Sequence, residues 1–188
     1  MSLTKHYACG DTILGAVIGP KANMKKVLLQ EKISGIHITD EQCITVSNNS
    51  KNIKQRMESS GKFAFKIAAW LKEYPKVNTT MYPMLPNHPS CSLAKDMFTF
   101  PPSCIYFHLS MNKEQVDKAK TKLSLIRWET SFGDSYCKID NWWKEGFSNY
   151  YDQKLEKKQG IWFRLSCGYK VTNEKAIQDE LEAFIQTE

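Results

Sequence analysis

Two short runs, Cys104-Ile105-Tyr106-Phe107-His108-Leu109 and Ile161-Trp162-Phe163-Arg164-Leu165, constrain the fold of this chain more than any other feature. Both read as strands, and Pro101-Pro102 stands just ahead of the first. In the second, a period of two puts Trp162, Arg164 and Ser166 on one face, a polar edge on an otherwise apolar strand. Residues 77–81 and 125–128 read as further strands, and 115–123 as a short amphipathic helix. A last helix is expected to start near Asn173, an N-cap residue followed by Glu174 in the first turn, with Ile177, Leu181, Phe184 and Ile185 as its apolar face. Strands alternating with helices predict an α/β (α+β) sandwich: a small, mostly antiparallel sheet with covering helices.

Upstream, the apolar run 13–18 stops at Gly19-Pro20 and reads as a buried strand ended by a turn. A short helix is expected over 23–32, ahead of Ser34-Gly35. A longer one is expected over 50–74, where Ile53, Met57, Ala64, Ile67, Ala68 and Leu71 recur at helical spacing and Pro75 lies just beyond. Residues 141–159, rich in Trp, Tyr and Lys, form the least regular stretch and read as an excursion between strands.

A chain of 188 residues with 41% hydrophobic content suits one folded domain better than two. Its net charge of +6 comes from scattered lysines, which does not indicate nucleic acid. The six cysteines, Cys9, Cys43, Cys91, Cys104, Cys137 and Cys167, have no Cys-x-x-Cys spacing and no paired histidines, so no metal site is expected. Without a secretory signal or an apolar stretch long enough for a bilayer, free thiols and a cytoplasmic location are expected, with no membrane partner.

Ser2-Leu3-Thr4-Lys5 followed by Gly10-Asp11 and Leu14-Gly15-Ala16 resembles the cofactor-lysine segment of the Cys/Met-metabolism, or trans-sulfuration, enzymes. Further segments follow in that family's order: Lys54-Gln55-Arg56-Met57, residues 67–77, residues 82–89, Leu93-Ala94-Lys95-Asp96-Met97-Phe98, Ser131-Phe132-Gly133, and Arg164-Leu165-Ser166 with Gly168. The aromatic residue in Ser131-Phe132-Gly133 leans toward cystathionine β-lyase and away from the γ-synthase and γ-lyase branches.

The resemblance implies the C-terminal part of a fold type I, aminotransferase-like enzyme dependent on pyridoxal 5′-phosphate. Residues 1–50 would be a remnant of the cofactor-binding domain, 51–76 a linking helix, and 77–188 the C-terminal α/β domain. Lys5 is implied as the catalytic, imine-forming lysine that anchors the cofactor and moves the α-proton. Arg164 would clamp the substrate carboxylate, and the Ser131-Phe132 turn would line the substrate pocket. The implied activity is β-elimination of cystathionine to homocysteine, pyruvate and ammonia. The phosphate-cradling loop and the partner of the ring nitrogen belong to a family segment upstream of the lysine. A homo-oligomer or a separate N-terminal half is therefore the expected partner, and the chain alone is expected to be inactive.

On residue chemistry alone other readings stand beside these. Lys5 reads as a solvated residue near the N-terminus, Arg164 as a strand arginine paired with an acid, and Ser131-Phe132-Gly133 as either a plain turn or a pocket wall. Asp134, in place of a second glycine, brings negative charge toward the expected carboxylate site if it points inward. A non-catalytic remnant acting as an interaction module is a second class of function. A third is a single-strand nucleic-acid binder using Trp142, Trp143, Tyr150 and Tyr151 with nearby lysines.

Overall fold

The computed structural model describes residues 1–141 and 160–188. The chain divides into two compact units, Met1–Gln55 and Arg56–Glu188. The first holds helices α1 (Lys21–Ser34) and α2 (Asp40–Ser50) and the start of α3 (Ile53–Glu73). The second holds the rest of α3, then β1 (Val77–Met81), α4 (Cys91–Met97), β2 (Cys104–Leu109), α5 (Lys113–Lys120), β3 (Arg127–Trp128), β4 (Lys138–Asn141), β5 (Ile161–Ser166) and α6 (Glu174–Ile185).

In the second unit the strands form one sheet in the order β1-β2-β5-β4-β3, antiparallel throughout except for the short β3–β4 pair. The mostly antiparallel sheet with covering helices expected from the sequence is thus present. The two constraining runs pair directly, from Cys104 opposite Ser166 to Leu109 opposite Ile161. Their inward residues Ile105, Phe107, Leu109, Phe163 and Leu165 are buried in one core with Ile139 of β4. Helix α3 adds Phe63, Ala64, Ile67, Ala68 and Leu71 to that core, α5 adds Val116 and Ala119, and α6 adds Ile177, Leu181, Phe184 and Ile185.

The helices start where side chains can accept orphan N–H groups. Asn173 caps α6 by accepting from the Ala176 amide at 3.0 Å, and Asn112 with Gln115 forms a reciprocal box on α5. At its mid-point α3 needs a glycine, because a Cβ on Gly61 would stand 2.1 Å from the Pro101 carbonyl oxygen. The Tyr82 hydroxyl seals the same corner, donating to the Pro102 carbonyl at 2.7 Å.

Sequence and structure part company in the first unit. Residues 13–18 form no strand beyond an isolated bridge between Ser2 and Gly15, and Ile13 and Ile18 are 84% and 80% exposed. An apolar run becomes a buried strand only where a neighbouring strand and a covering layer meet it, and within the first unit neither does. The first helix spans more than the expected 23–32. The second was not anticipated, although Thr39-x-x-Gln42 is a capping-box pattern and both reciprocal bonds form. The short α4 and the four-residue β4 also escaped the periodicity reading. The residues of the nucleic-acid reading, Trp142, Trp143, Tyr150 and Tyr151, lie outside the described residues.

Candidate active site

In the second unit the sheet face opposite the core is polar and largely buried. The register sets Tyr106, Arg164 and Asp140 in one row across β2, β5 and β4, and Cys104, Ser166 and Lys138 in the next. Trp162, Arg164 and Ser166 share this face, as the period of two requires. Arg164, Lys138 and Asp140 are each less than a tenth exposed, so their polar ends need partners inside the protein.

Arg164 finds one in the turn that follows β3. Its Nη2 donates to the Thr130 carbonyl, and its Cζ lies 5.6 Å from the centroid of the Phe132 ring. Gly133 carries the chain onward at φ +78°, a left-handed conformation that favours glycine and lets the turn fold back on the strand end. Ser131 is half-buried and Phe132 half-exposed. Arg164, Ser131 and Phe132 therefore meet at one corner of the second unit.

Asp134 does not present a bare charge at that corner. Its Oδ2 lies 2.9 Å from the Lys138 ammonium, and its Oδ1 accepts from the Ser135 amide at 2.6 Å. Lys138 also binds Glu129 at 2.6 Å. Burial pulls the Lys138 pKa down, but the hydrogen bonds it donates to Glu129 and Asp134 outweigh that and leave the ammonium above the ordinary lysine value. The sequence reading missed this buried cation. Its signal was the alternation Cys137-Lys138-Ile139-Asp140, in which the core residues Cys137 and Ile139 bracket a lysine on the other face.

On the opposite flank of this face His108 is buried. Its Nδ1 lies 3.0 Å from the Asn78 side-chain amide nitrogen, and its ring lies 5.2 Å from that of Trp162. The Trp162 Nε1 has no hydrogen-bond partner among the described residues.

Lys5 belongs to the first unit, in a loop closed by backbone bonds. Leu3 donates to Leu14 at 2.8 Å, Ala8 to Leu3 at 2.9 Å and Gly10 to Thr4 at 2.8 Å, while Asn49 of α2 ties down the Ala8 carbonyl at 3.0 Å. Cys9 adopts φ +59°, the left-handed bend that turns the chain toward Gly10. Lys5 itself is half-buried. Its neighbour is a bridge and not the strand expected there.

These features can be set against known proteins. The family model for Cys/Met metabolism PLP-dependent enzymes matches residues 1–184. The chain belongs to that family. The L-methionine γ-lyase of Porphyromonas gingivalis is 29% identical over 134 residues, which is 70% of this chain and 34% of that enzyme. The cystathionine β-lyase of Coxiella burnetii is 29% identical over 136 residues, 70% of this chain and 35% of that enzyme. The chain thus spans about a third of the length of these curated relatives. The structure of the apo methionine γ-lyase of Micromonospora echinospora superposes with a TM-score of 0.78 at 18% identity, covering 98% of this chain and 48% of that one. The fold is the family fold, and enzymes of the family depend on pyridoxal phosphate. No helix among the described residues is long and apolar enough to cross a membrane.

Proposed function

We propose that this chain is the C-terminal portion of a pyridoxal-phosphate-dependent carbon–sulfur lyase acting on a sulfur amino acid, with cystathionine β-elimination as its reaction. The observation that carries this reading is the corner where the buried Arg164 meets the Thr130 carbonyl and the Phe132 ring, on the polar face of a family-fold sheet.

The loop around Lys5 fits the aldehyde end of the cofactor: a primary amine, half-shielded from water, on a segment pinned on both sides by backbone hydrogen bonds. Bound there, the cofactor supplies the electron sink that makes the substrate α-proton acidic. Lys5 anchors it and moves that proton at the substrate Cα. Arg164 presents a planar fork of donors to the substrate carboxylate, and its contact with the Thr130 carbonyl holds the fork against the turn. Ser131 and Phe132 form the wall beside it.

In this reading a homo-oligomer or an N-terminal half holds the phosphate and ring nitrogen. Exposed Ile13, Ile18, Leu29, Ile33 and Ile36 in the first unit are in keeping with a surface that such a partner covers. Relatives named as γ-lyases make γ-elimination the second reading, and the keto-acid product separates it from the first.

Reductive trapping tests the cofactor assignment directly. The purified chain is given pyridoxal phosphate and borohydride, and the modified peptide is mapped. Label concentrated on Lys5 is expected, whereas label spread over the surface lysines would dismiss the assignment. In an active, complemented form, Arg164→Lys should lower kcat/KM roughly 30- to 1000-fold, equivalent to about 2 to 4 kcal/mol. An unchanged kcat/KM would place the carboxylate site elsewhere.

A further inference from the structure

Two of the buried cysteines face each other across the sheet, on the side away from Arg164. The β4–β5 register pairs Lys138 with Ser166, so one step further it sets Cys137 opposite Cys167. Residues directly opposite in an antiparallel pair have Cα atoms roughly 4.5–5.5 Å apart, inside the span that a disulfide bridges without backbone movement. Both are free thiols, and both belong to the apolar core.

Their surroundings differ. Cys137 lines a cavity of about 140 Å³ with Ser135, Tyr136, Lys170, Thr172 and Ile177 among its walls, and none of the lining residues carries a carboxylate. The Gly168 amide donates to Cys137 Sγ at 3.4 Å. That approach depends on glycine, because a Cβ at position 168 would stand 2.4 Å from the Ser135 carbonyl oxygen. A backbone donor and a neighbouring thiol both favour a thiolate at Cys137. Hydrogen bonding from Cys167 holds the Cys137 thiol below the ordinary cysteine value, against the effects of burial and of Glu180. Cys167 and Cys104 are pushed the other way, mainly by burial.

We infer that Cys137 is a peroxide-reactive thiol at the wall of this cavity and that Cys167 resolves it into a cross-strand disulfide. In the first step the Cys137 thiolate attacks one oxygen of hydrogen peroxide. The O–O bond breaks, the sulfur is oxidised to a sulfenic acid, and the departing hydroxide leaves as water once protonated. In the second step the Cys167 sulfur attacks the Cys137 sulfur, the S–O bond breaks, and the Cys167 proton leaves with the hydroxyl as a second water. Two thiols and one peroxide thus become one disulfide and two waters. The inference is independent of the cofactor assignment, because it uses neither Lys5 nor Arg164.

The test treats the folded chain, carrying Cys43→Ser to remove the exposed thiol, with substoichiometric hydrogen peroxide, then alkylates and maps it without reduction. A cross-linked pair of peptides containing Cys137 and Cys167 is expected, forming at least tenfold faster than any oxidation of Cys104. In Cys167→Ser, a sulfenic acid at Cys137 should accumulate and be trapped by dimedone. In Cys137→Ser, both products should vanish while the urea unfolding transition persists. Oxidation of Cys104 or Cys91 ahead of Cys137 would overturn the inference. So would a Cys137–Cys167 link that forms at the same rate in urea as in buffer, since the local geometry would then contribute nothing.

Discussion

The two units of this chain use apolar residues in opposite ways. In Arg56–Glu188 the large apolar side chains turn inward: Phe163 is fully buried, stacked on Phe107 at 5.5 Å and edge-on to Phe184 at 5.3 Å. In Met1–Gln55 neither α1 nor α2 has a buried residue, and Ile13, Val17, Ile18, Leu29, Ile33 and Ile36 are all at least 60% exposed. Similar residue types therefore stabilise one unit through packing, while the other holds its helices with local devices, the Thr39–Gln42 box and the left-handed Gly35 after α1. Amphipathic periodicity matters only when a second surface lies opposite it. Within the first unit no such surface lies opposite these apolar residues.

The largest expected effect tests the packed side of this contrast. Phe163→Ala should cost about 3 to 5 kcal/mol in urea unfolding, while Ile18→Ala in the same chain should cost under about 0.5 kcal/mol. Comparable losses from both would erase the distinction between the units. Hydrogen exchange should likewise find slow amides over Ile161–Ser166 and fast ones over residues 13–18.

Next comes the buried charge behind Arg164. Lys138→Met should destabilise the second unit by roughly 2 to 3 kcal/mol, less than a fully buried pair because Glu129 is half in water. The folded-state pKa of Lys138 is raised, so its contribution is complete below the unfolded value of about 10.4 and is lost as pH rises through the folded value. The stability gap between wild type and variant should therefore be constant from neutral pH to about pH 10 and shrink above it. A gap that closes already near neutrality would contradict the pairing.

Glu180 offers a smaller test on α6. Its carboxylate accepts from Ser124 Oγ at 2.6 Å and from the Ile126 amide at 2.7 Å, fastening the approach to β3 onto the helix. Burial opposes ionisation, yet these bonds leave its pKa lowered. The associated stability is present above the unfolded value of about 4.3 and is lost as pH falls through the folded value. Glu180→Gln should cost about 1 to 2 kcal/mol at pH 7, with the difference fading in acid. A difference that grows in acid would carry the wrong sign.

Smallest is the cap that stands in for a core in the first unit. Thr39→Ala should remove about 1 kcal/mol from α2 and leave the unfolding of the second unit untouched, read as faster exchange confined to Asp40–Ser50. Propagation of that loss into β5 would mean that the units are not energetically separate.

Elements set by short-range rules were legible from the residues. Cys104–Leu109 and the Asn173-capped α6 with its Ile177, Leu181, Phe184 and Ile185 face follow from period, caps and breakers, and each packs as expected. The family was legible too, because its motifs are ordered along the chain. Burial of residues 13–18 was not, since an apolar run states a preference for cover without saying whether the cover is there. Lys138 was not, because a lysine on a short strand is read as solvated until two carboxylates from the preceding turn are seen to neutralise it. Nor was the meeting of Cys137 with Cys167, thirty residues apart and brought opposite only by strand register. By itself the sequence determined local conformation, the apolar face of the second unit and membership of a cofactor-dependent family. Tertiary structure alone decided which charges are paired, which apolar residues lack cover and which thiols face each other, because those depend on contacts between distant segments that no local preference encodes.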